Sequence, residues 1–325
     1  MTLLDMREAE IAALIPGQPG YRAKQIREGL FKGAGALSEI TNLPKNLSLD
    51  IPTGYPSAER EQRSDDGTVK VLWRYADGSA VESVLMRYKH GLSACLSTQA
   101  GCRMGCAFCA SCVNGLERSL TGGEIMGQYL ALKKLAGEPI PRVVLMGMGE
   151  PLDNLEQVLK FLNSLRADAG LSMRHVSLST CGLTEGIRML AQSGLPVTLS
   201  VSLHAADDET RTALMPINKR HNIREVINAC KFYFDETGRR VSYEYLCIKD
   251  VNDGAAHAER LAKLLRGQGA HVNLIACNPV EGKEFAPSGR VGEFAETLEK
   301  AGLAVTVRRR LGRGISAACG QLKSQ

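Results

Sequence analysis

Cys102, Cys106 and Cys109 stand in the run Gly101-Cys-Arg-Met-Gly-Cys-Ala-Phe-Cys109, so one short glycine-containing loop offers three thiolates to a common centre. Three protein thiolates on a cubane iron–sulfur cluster leave one iron open to a small molecule, whereas four close the site for storage or electron transfer. The spacing therefore points to chemistry at an open position. Cys112 extends the run to a fourth thiol, enough for a closed tetrahedral zinc site, although structural zinc sites usually join two separated hooks. Phe108, just before the third thiol, is placed either to shield a cluster from water or simply to pack.

Other residues suited to binding or reaction recur along the chain. Gly147-Met148-Gly149-Glu150-Pro151 follows an apolar run; its glycines let backbone approach a ligand, and Glu150 could hold a cationic amine. The same glycines also serve a strand-to-helix turn by geometry alone. Ser179, Ser202 and His204 are short polar side chains suited to a carboxylate or a ribose, and equally to turns or a satisfied core. Cys319 lies between small residues in Gly314-Ile-Ser-Ala-Ala-Cys319-Gly-Gln-Leu322, either as inert packing or as a reactive thiol on a mobile tail. Cys95 precedes Cys102 by seven positions and can share its centre, while Glu82 on its own reads as a solvated carboxylate. Cys181, Cys230, Cys247 and Cys277 lack such a context and read as structural.

These residues need a scaffold, and the hydrophobic pattern supplies one. From residue 92 short apolar strands alternate with amphipathic helices, the pattern of a parallel sheet built from βα units. Strands are predicted near Leu92–Ser97, Arg142–Met146, His175–Ser179, Val197–Leu203, Val241–Ile248 and His271–Ala276, with helices near 122–135, 154–166, 184–192, 223–236, 254–266 and 290–300, and a last strand at Ala304–Arg308. Six units fall short of an eight-stranded barrel, so an α/β fold with a partial (βα)6 barrel is expected, with function at the strands' carboxyl ends. The polar and glycine-rich signatures do follow the strands, including Asn278-Pro279 after the sixth.

Ahead of the barrel, helical spacing over Met6–Leu14 and Tyr21–Lys32 predicts a helical accessory domain over residues 1–58. Alternating runs Thr68–Tyr75 and Ala80–Tyr88 around Asp77-Gly78 predict a β-hairpin extension over 59–90. The barrel then takes 91–310, and residues 311–325 form a C-terminal loop carrying Cys319.

The bulk properties are those of an ordinary globular protein: 44% hydrophobic, 23% charged and a formal charge of +5 over 325 residues. Arg308-Arg309-Arg310 with Arg313, Lys219-Arg220-His221 and Arg239-Arg240 could each meet phosphates or form solvated faces. The N-terminus lacks the pattern of a signal peptide and no run has membrane-spanning length, so a cytoplasmic chain with reduced thiols and no membrane partner is expected.

Together, the cysteine spacing and the strand-end pattern resemble the radical S-adenosylmethionine superfamily. Met146-Gly-Met-Gly-Glu-Pro-Leu152, Ser177-Leu-Ser-Thr180, Ser202-Leu-His-Ala205, Met215-Pro-Ile-Asn218, Val251-Asn-Asp253 and Ala318-Cys-Gly-Gln-Leu322 resemble, within it, the RlmN adenine-C2 RNA methyltransferases. Tyr21-Arg-Ala-Lys-Gln-Ile26 and Leu43-Pro44 are similar to that family's accessory domain, so the resemblance spans most of the chain. It implies a [4Fe-4S] cluster on Cys102, Cys106 and Cys109, and S-adenosylmethionine as both methyl donor and radical source. It further implies cofactor contacts at Gly149, Glu150, Ser179, Ser202, Leu203, His204 and Asn278, an S-methylated Cys319, a resolving Cys95 and a proton acceptor at Glu82. The implied substrate is an adenine of 23S rRNA, with tRNA as a further substrate in some members. An external electron donor is required, and a monomer is expected.

Two departures from the family stand out. Arg313-Gly-Ile-Ser-Ala-Ala replaces a stretch that commonly carries acidic residues around the isoleucine, and a cysteine at position 112 is unusual. The nearest rival is a Cfr-type enzyme acting on carbon 8 of the same adenine. Pro151 and Ala205 resemble the carbon-2 type. A non-enzymatic rival, a metal-stabilised RNA-binding protein, leaves Cys95, Glu82 and Cys319 unexplained.

Overall fold

The computed structural model describes residues 1–312 and 314–323. The N-terminal segment carries α1 (Glu8–Ala13) and α2 (Tyr21–Phe31), with Ile11, Ala23, Ile26 and Leu30 buried at helical spacing. Three antiparallel strands follow: β1 (Ser57–Arg63), β2 (Val69–Arg74) and β3 (Ala80–Tyr88). Leu72 faces Glu82 across the β2–β3 pair, and the Asp77-Gly78 turn stands between these strands as the alternation predicts.

Next come β4 (Gly91–Cys95), a small antiparallel pair β5 (Gln99–Gly101) and β6 (Leu116–Ser119), and α3 (Gly122–Ala136). The βα units continue through β7 (Arg142–Leu145), α4 (Leu155–Ala167), β8 (Val176–Thr180), α5 (Thr184–Gln192) and β9 (Thr198–Ser202). After α6 (Asp208–Leu214) and α7 (Ile223–Thr237) come β10 (Ser242–Cys247), α8 (Ala255–Leu265), β11 (His271–Ala276), α9 (Val291–Lys300) and β12 (Ala304–Val307).

β3 pairs antiparallel with β4, which joins the hairpin to the parallel strands β4-β7-β8-β9-β10-β11-β12 in one sheet of ten strands among the described residues. The parallel strands lie in sequence order, so each crossover steps to the next neighbour and the strands' carboxyl ends share one rim. The predicted units are present at nearly their predicted bounds. Their helices are closed by ordinary signals: Thr121 and Glu124 form a capping box on α3, and Gly137 and Gly238 end α3 and α7 in the left-handed region.

Several elements escape the sequence pattern. β1 (SAEREQR) is exposed on nearly every residue, so an edge strand with no buried face leaves no alternation to read. β5 and β6 are too short for a period, and α6 is mostly polar.

Candidate functional site

The cysteine loop is framed by the β5–β6 pair. Gly101 has φ +75°, and a Cβ there would stand 2.0 Å from the Gly115 oxygen, so only glycine permits this entry. The Cys102 amide then donates to Gly115 O at 2.8 Å and the Cys109 amide to Cys106 O at 3.2 Å. Cys102 and Cys106 are buried, Cys109 and Cys112 half-buried, and all four line one cleft of about 1040 Å³, counting its solvent-open part. The Cys112 thiol lies close enough to the other three to interact with them electrostatically. Contact with Cys112 first, and burial second, push Cys102, Cys106 and Cys109 above the ordinary thiol range. Strong positive charge would let several thiolates coexist there, and soft sulfur donors in a dry pocket fit an iron–sulfur cluster. Among the described residues, no three ligating side chains enclose a single-ion site.

The rest of the cleft comes from the strand ends. Gly149, Glu150, Ser179, Ser202, His204 and Asn278 line it; Leu203 is fully buried and does not. Glu150, buried after β7, accepts from Leu152 N at 3.0 Å and from Cys181 N at 2.8 Å. Burial raises its carboxyl, and these N–H donors oppose the rise. His204 sits at φ 57°, a conformation that side chains other than glycine adopt rarely. Its Nδ1 accepts from Leu246 N at 3.1 Å, so the neutral ring carries its proton on Nε2. Burial first, then Arg211, lowers this imidazole to about 3, keeping it neutral. Phe108 stands edge-on to it, ring centroids 5.0 Å apart.

Asn278 Oδ1, a buried acceptor in this cleft, lacks a hydrogen-bond donor, and Glu244 Oε2 has only the Arg308 guanidinium at 3.6 Å. An unpartnered buried acceptor is costly. Asn278 Oδ1 suits a hydroxyl or amine donor of a small polar molecule such as S-adenosylmethionine.

Cys319 also lines the cleft, and it is exposed. Asn278 Nδ2 donates to its carbonyl at 3.1 Å. An adjoining groove of about 490 Å³, counting its solvent-open part, is lined by Cys319 with Tyr88, Arg308, Arg309 and Arg310. Cys95 lies below, buried at the end of β4; burial pushes its thiol up to about 12, with neighbouring Cys319 adding and Arg308 opposing. Glu82 is not in the cleft. It is buried against Lys70, Oε1 to Nζ 2.9 Å, and its Oε2 accepts from the backbone N–H of Lys323 at 2.9 Å.

Sequence reasoning missed two positioning residues. Arg211 is fully buried and donates to the carbonyls of Cys181 (2.6 Å), Leu203 (3.2 Å), Ser202 (3.3 Å) and His221 (3.1 Å), and to Asn218 Oδ1 (2.7 Å). It thus ties the ends of β8 and β9 together, and Asn218 of the Met-Pro-Ile-Asn stretch is its anchor. Asn252 holds Leu246 O, Ile248 N and the carbonyl of His204, the last at 2.8 Å. An arginine on a polar seven-residue helix carried no signal of burial.

The basic runs divide. Arg308 is half-buried, 3.6 Å from Glu244 and from Met146 Sδ, whereas Arg309 and Arg310 are exposed. Arg313 lies outside the described residues. His221 is buried, with its Nδ1 3.0 Å from Thr184 Oγ1, so it forms no part of a phosphate-binding face with Lys219 and Arg220.

Comparison with known proteins agrees with this arrangement. The Radical SAM superfamily model matches residues 96–265. A probable dual-specificity RNA methyltransferase RlmN of Clostridium botulinum (strain Alaska E43 / Type E3) is 47% identical over 94% of this chain and 91% of its own. One from Desulforamulus reducens is 47% identical over 99% of this chain and 96% of its own. The crystal structure of a radical SAM methyltransferase from Sphaerobacter thermophilus superposes with a TM-score of 0.94 at 41% identity, covering 100% of both chains. The chain therefore belongs to the radical SAM superfamily and, within it, to the RlmN family of RNA methyltransferases.

Proposed function

We propose that this chain methylates carbon 2 of an adenine in 23S rRNA, and of an adenine in tRNA, through an S-methylated Cys319. The observation that carries the reading is the position of Cys319, which shares one cleft with Cys102, Cys106 and Cys109 and also lines an adjoining groove with Arg308, Arg309 and Arg310. A [4Fe-4S] cluster on those three thiolates, with S-adenosylmethionine at its open iron, supplies an adenosyl radical by reductive cleavage. Glu150, Ser179, Ser202, His204 and Asn278 hold the cofactor against the cluster, with Gly149 contributing backbone; Leu203, away from the cleft, has its N–H on Glu244 O and its carbonyl on Arg211 and takes no part in this contact.

An adenine carbon bearing hydrogen is too weak a nucleophile to take a methyl group by direct displacement. Cys319 would therefore first accept the methyl of one S-adenosylmethionine; the adenosyl radical would remove one hydrogen from that S-methyl group, and the resulting methylene radical would bond to the ring, whose unpaired electron would return to the cluster. Cys95 resolves the protein–RNA adduct: its sulfur bonds to that of Cys319 as the carbon–sulfur bond breaks, and an external reductant reopens the disulfide. Glu82 takes the ring proton. With the tail docked its carboxylate is occupied by Lys70 and Lys323, so this role requires Lys323 to leave. The arginines of the groove meet RNA phosphates.

The enzyme works as a cytoplasmic monomer with an external electron donor. Among the described residues no helix is long and apolar enough to cross a membrane. Anaerobic reconstitution with S-adenosylmethionine, a reductant and each RNA, followed by mass-spectrometric mapping, tests the proposal. The expected product is 2-methyladenine on both RNAs; 8-methyladenine as the only product overturns the carbon-2 assignment, and unmodified tRNA overturns the dual substrate.

A further inference from the structure

The proposed cluster uses three cysteines, yet four thiols meet in this loop. Cys112 ends a single 3-10 turn, Ala110–Cys112, that begins directly after Cys109 and returns the chain to the same cleft. There it lines the cleft together with Cys102, Cys106 and Cys109.

Other cysteines on the cleft wall are engaged elsewhere. Cys181 contacts the Glu150 carboxylate, and Cys277 Sγ donates to Asn278 O at 3.7 Å. The turn under Cys112 is also fastened: Ala110 N donates to Gly320 O at 2.8 Å and Ser111 Oγ to Leu322 O at 2.7 Å. A fourth thiol is thus held on the same cleft as the other three.

We propose that Cys112 is a fourth thiolate ligand of the cluster, bound to its open iron while S-adenosylmethionine is absent and displaced when the cofactor arrives. The inference rests on the cluster assignment above. Thiolate is a soft, anionic ligand well matched to iron in a cubane, and a closed fourth site protects a partly solvent-exposed cluster from loss. The exchange moves no electrons. The iron–sulfur bond to Cys112 would break, the nitrogen and carboxylate oxygen of S-adenosylmethionine would bond to that iron, and the freed thiolate would take up the proton that the cofactor's ammonium gives up on coordinating.

The test compares anaerobically reconstituted wild type, Cys112→Ala and Cys112→Ser, with two readouts that do not depend on turnover. One is the iron and sulfide retained during EDTA challenge, with and without S-adenosylmethionine. The other is S-adenosylmethionine affinity, read from the electron paramagnetic resonance signal of the reduced cluster during titration. If the thiolate-bound form makes up about nine-tenths of the cofactor-free enzyme, removing it tightens apparent affinity about tenfold. Cys112→Ala is expected to show that gain, to lose iron about tenfold faster without the cofactor, and to match wild type with it; Cys112→Ser falls between, which checks that the alanine result is not misfolding. Equal retention and affinity in all three proteins overturns the proposal while leaving the cluster assignment intact. Faster loss even at saturating S-adenosylmethionine overturns the displacement. Stoichiometric zinc without sulfide in the wild type overturns both assignments.

Discussion

The cysteine loop and the C-terminal tail both bring sulfur to one cleft, but they are built in opposite ways. Around Cys102 to Cys109 the loop is fixed by its own backbone: a strand pair, a left-handed Gly101 that no side chain could replace, and amide-to-carbonyl bonds at Cys102 and Cys109; only the turn that follows, at Ala110 and Ser111, bonds to the tail, at Gly320 O and Leu322 O. The tail, from Gly312 to Lys323, has no strand or helix among its described residues. Hydrogen bonds to distant elements hold it: Gly312 N to Asp66 at 2.8 Å, Lys70 to Ser316 O at 3.3 Å, Gln321 to Pro279 O at 2.7 Å and Lys323 N to Glu82 at 2.9 Å. Such a strap can release without unfolding the barrel. A radical source has to stay shielded and still, whereas a thiol that receives a methyl group, delivers it to RNA and then bonds to a second thiol has to move.

The sharpest way to break this comparison is to remove one sulfur from each region. Cys102→Ala is expected to lose both iron and methyl transfer. Cys319→Ala should keep iron and sulfide at wild-type content while methyl transfer falls by at least about 10³-fold, because the covalent route has no substitute. Parallel iron analysis and RNA mapping check this, and an iron-poor Cys319→Ala would mean that the tail is part of the loop's scaffold after all.

Alkylation probes the tail's other side. Burial lifts the Cys95 thiol from 9.0 to about 12, so its thiolate fraction near neutral pH is about 10³-fold below that of an ordinary thiol. Iodoacetamide followed by peptide mass spectrometry should label the exposed Cys319 well before the buried Cys95. Comparable early labelling of Cys95 would show that the tail is already lifted in the resting enzyme.

The loop was legible in the sequence because its chemistry is local: three cysteines within eight residues declare a common centre. The strand-end residues Glu150, Ser179, Ser202, His204 and Asn278 were legible because the βα alternation says which ends share a rim. What escaped depends on contacts distant in sequence. Glu82 reads as a solvated carboxylate until β2 places Lys70 beside it, 2.9 Å away. Arg211, on the polar α6, gives no signal in the sequence; its role is visible only in the five acceptors that close around it. Cys112 reads as a zinc ligand or a spare thiol until its turn is seen returning into the cleft.

The Lys70–Glu82 pair is where strap and sheet meet, and both groups are buried. Glu82→Gln leaves the ammonium without a carboxylate and should cost about 3 kcal/mol, since breaking a buried pair strands a charge. The urea midpoint reads the cost, and limited proteolysis should cut the tail sooner than in wild type. Adding Lys70→Met to Glu82→Gln removes the stranded charge and should recover most of the stability while leaving the tail loose. A tail still protected in the double variant would mean that its remaining hydrogen bonds suffice to dock it.

The smallest effect concerns the fixed side of the cleft. His204 has its imidazole lowered from 6.5 to about 3, chiefly by burial. Between those values the unfolded chain binds a proton that the folded one refuses, so stability is complete above about pH 6.5 and declines as pH falls. The slope approaches about 1.4 kcal/mol per pH unit, which amounts to about 2 kcal/mol at pH 5. His204→Asn is the matched control, because asparagine tolerates the left-handed backbone and its side-chain oxygen can accept from Leu246 N. Subtracting the variant's urea stability from that of wild type across pH 5 to 7 isolates this ring from Glu150, whose raised carboxyl tilts stability the other way, downward as pH rises above the ordinary carboxyl value. A difference that falls by about 2 kcal/mol from pH 7 to 5 places His204 in the dry, fixed wall of the cleft. A flat difference would mean that water reaches the ring, and the contrast between a rigid cluster side and a mobile tail side would lose one of its supports.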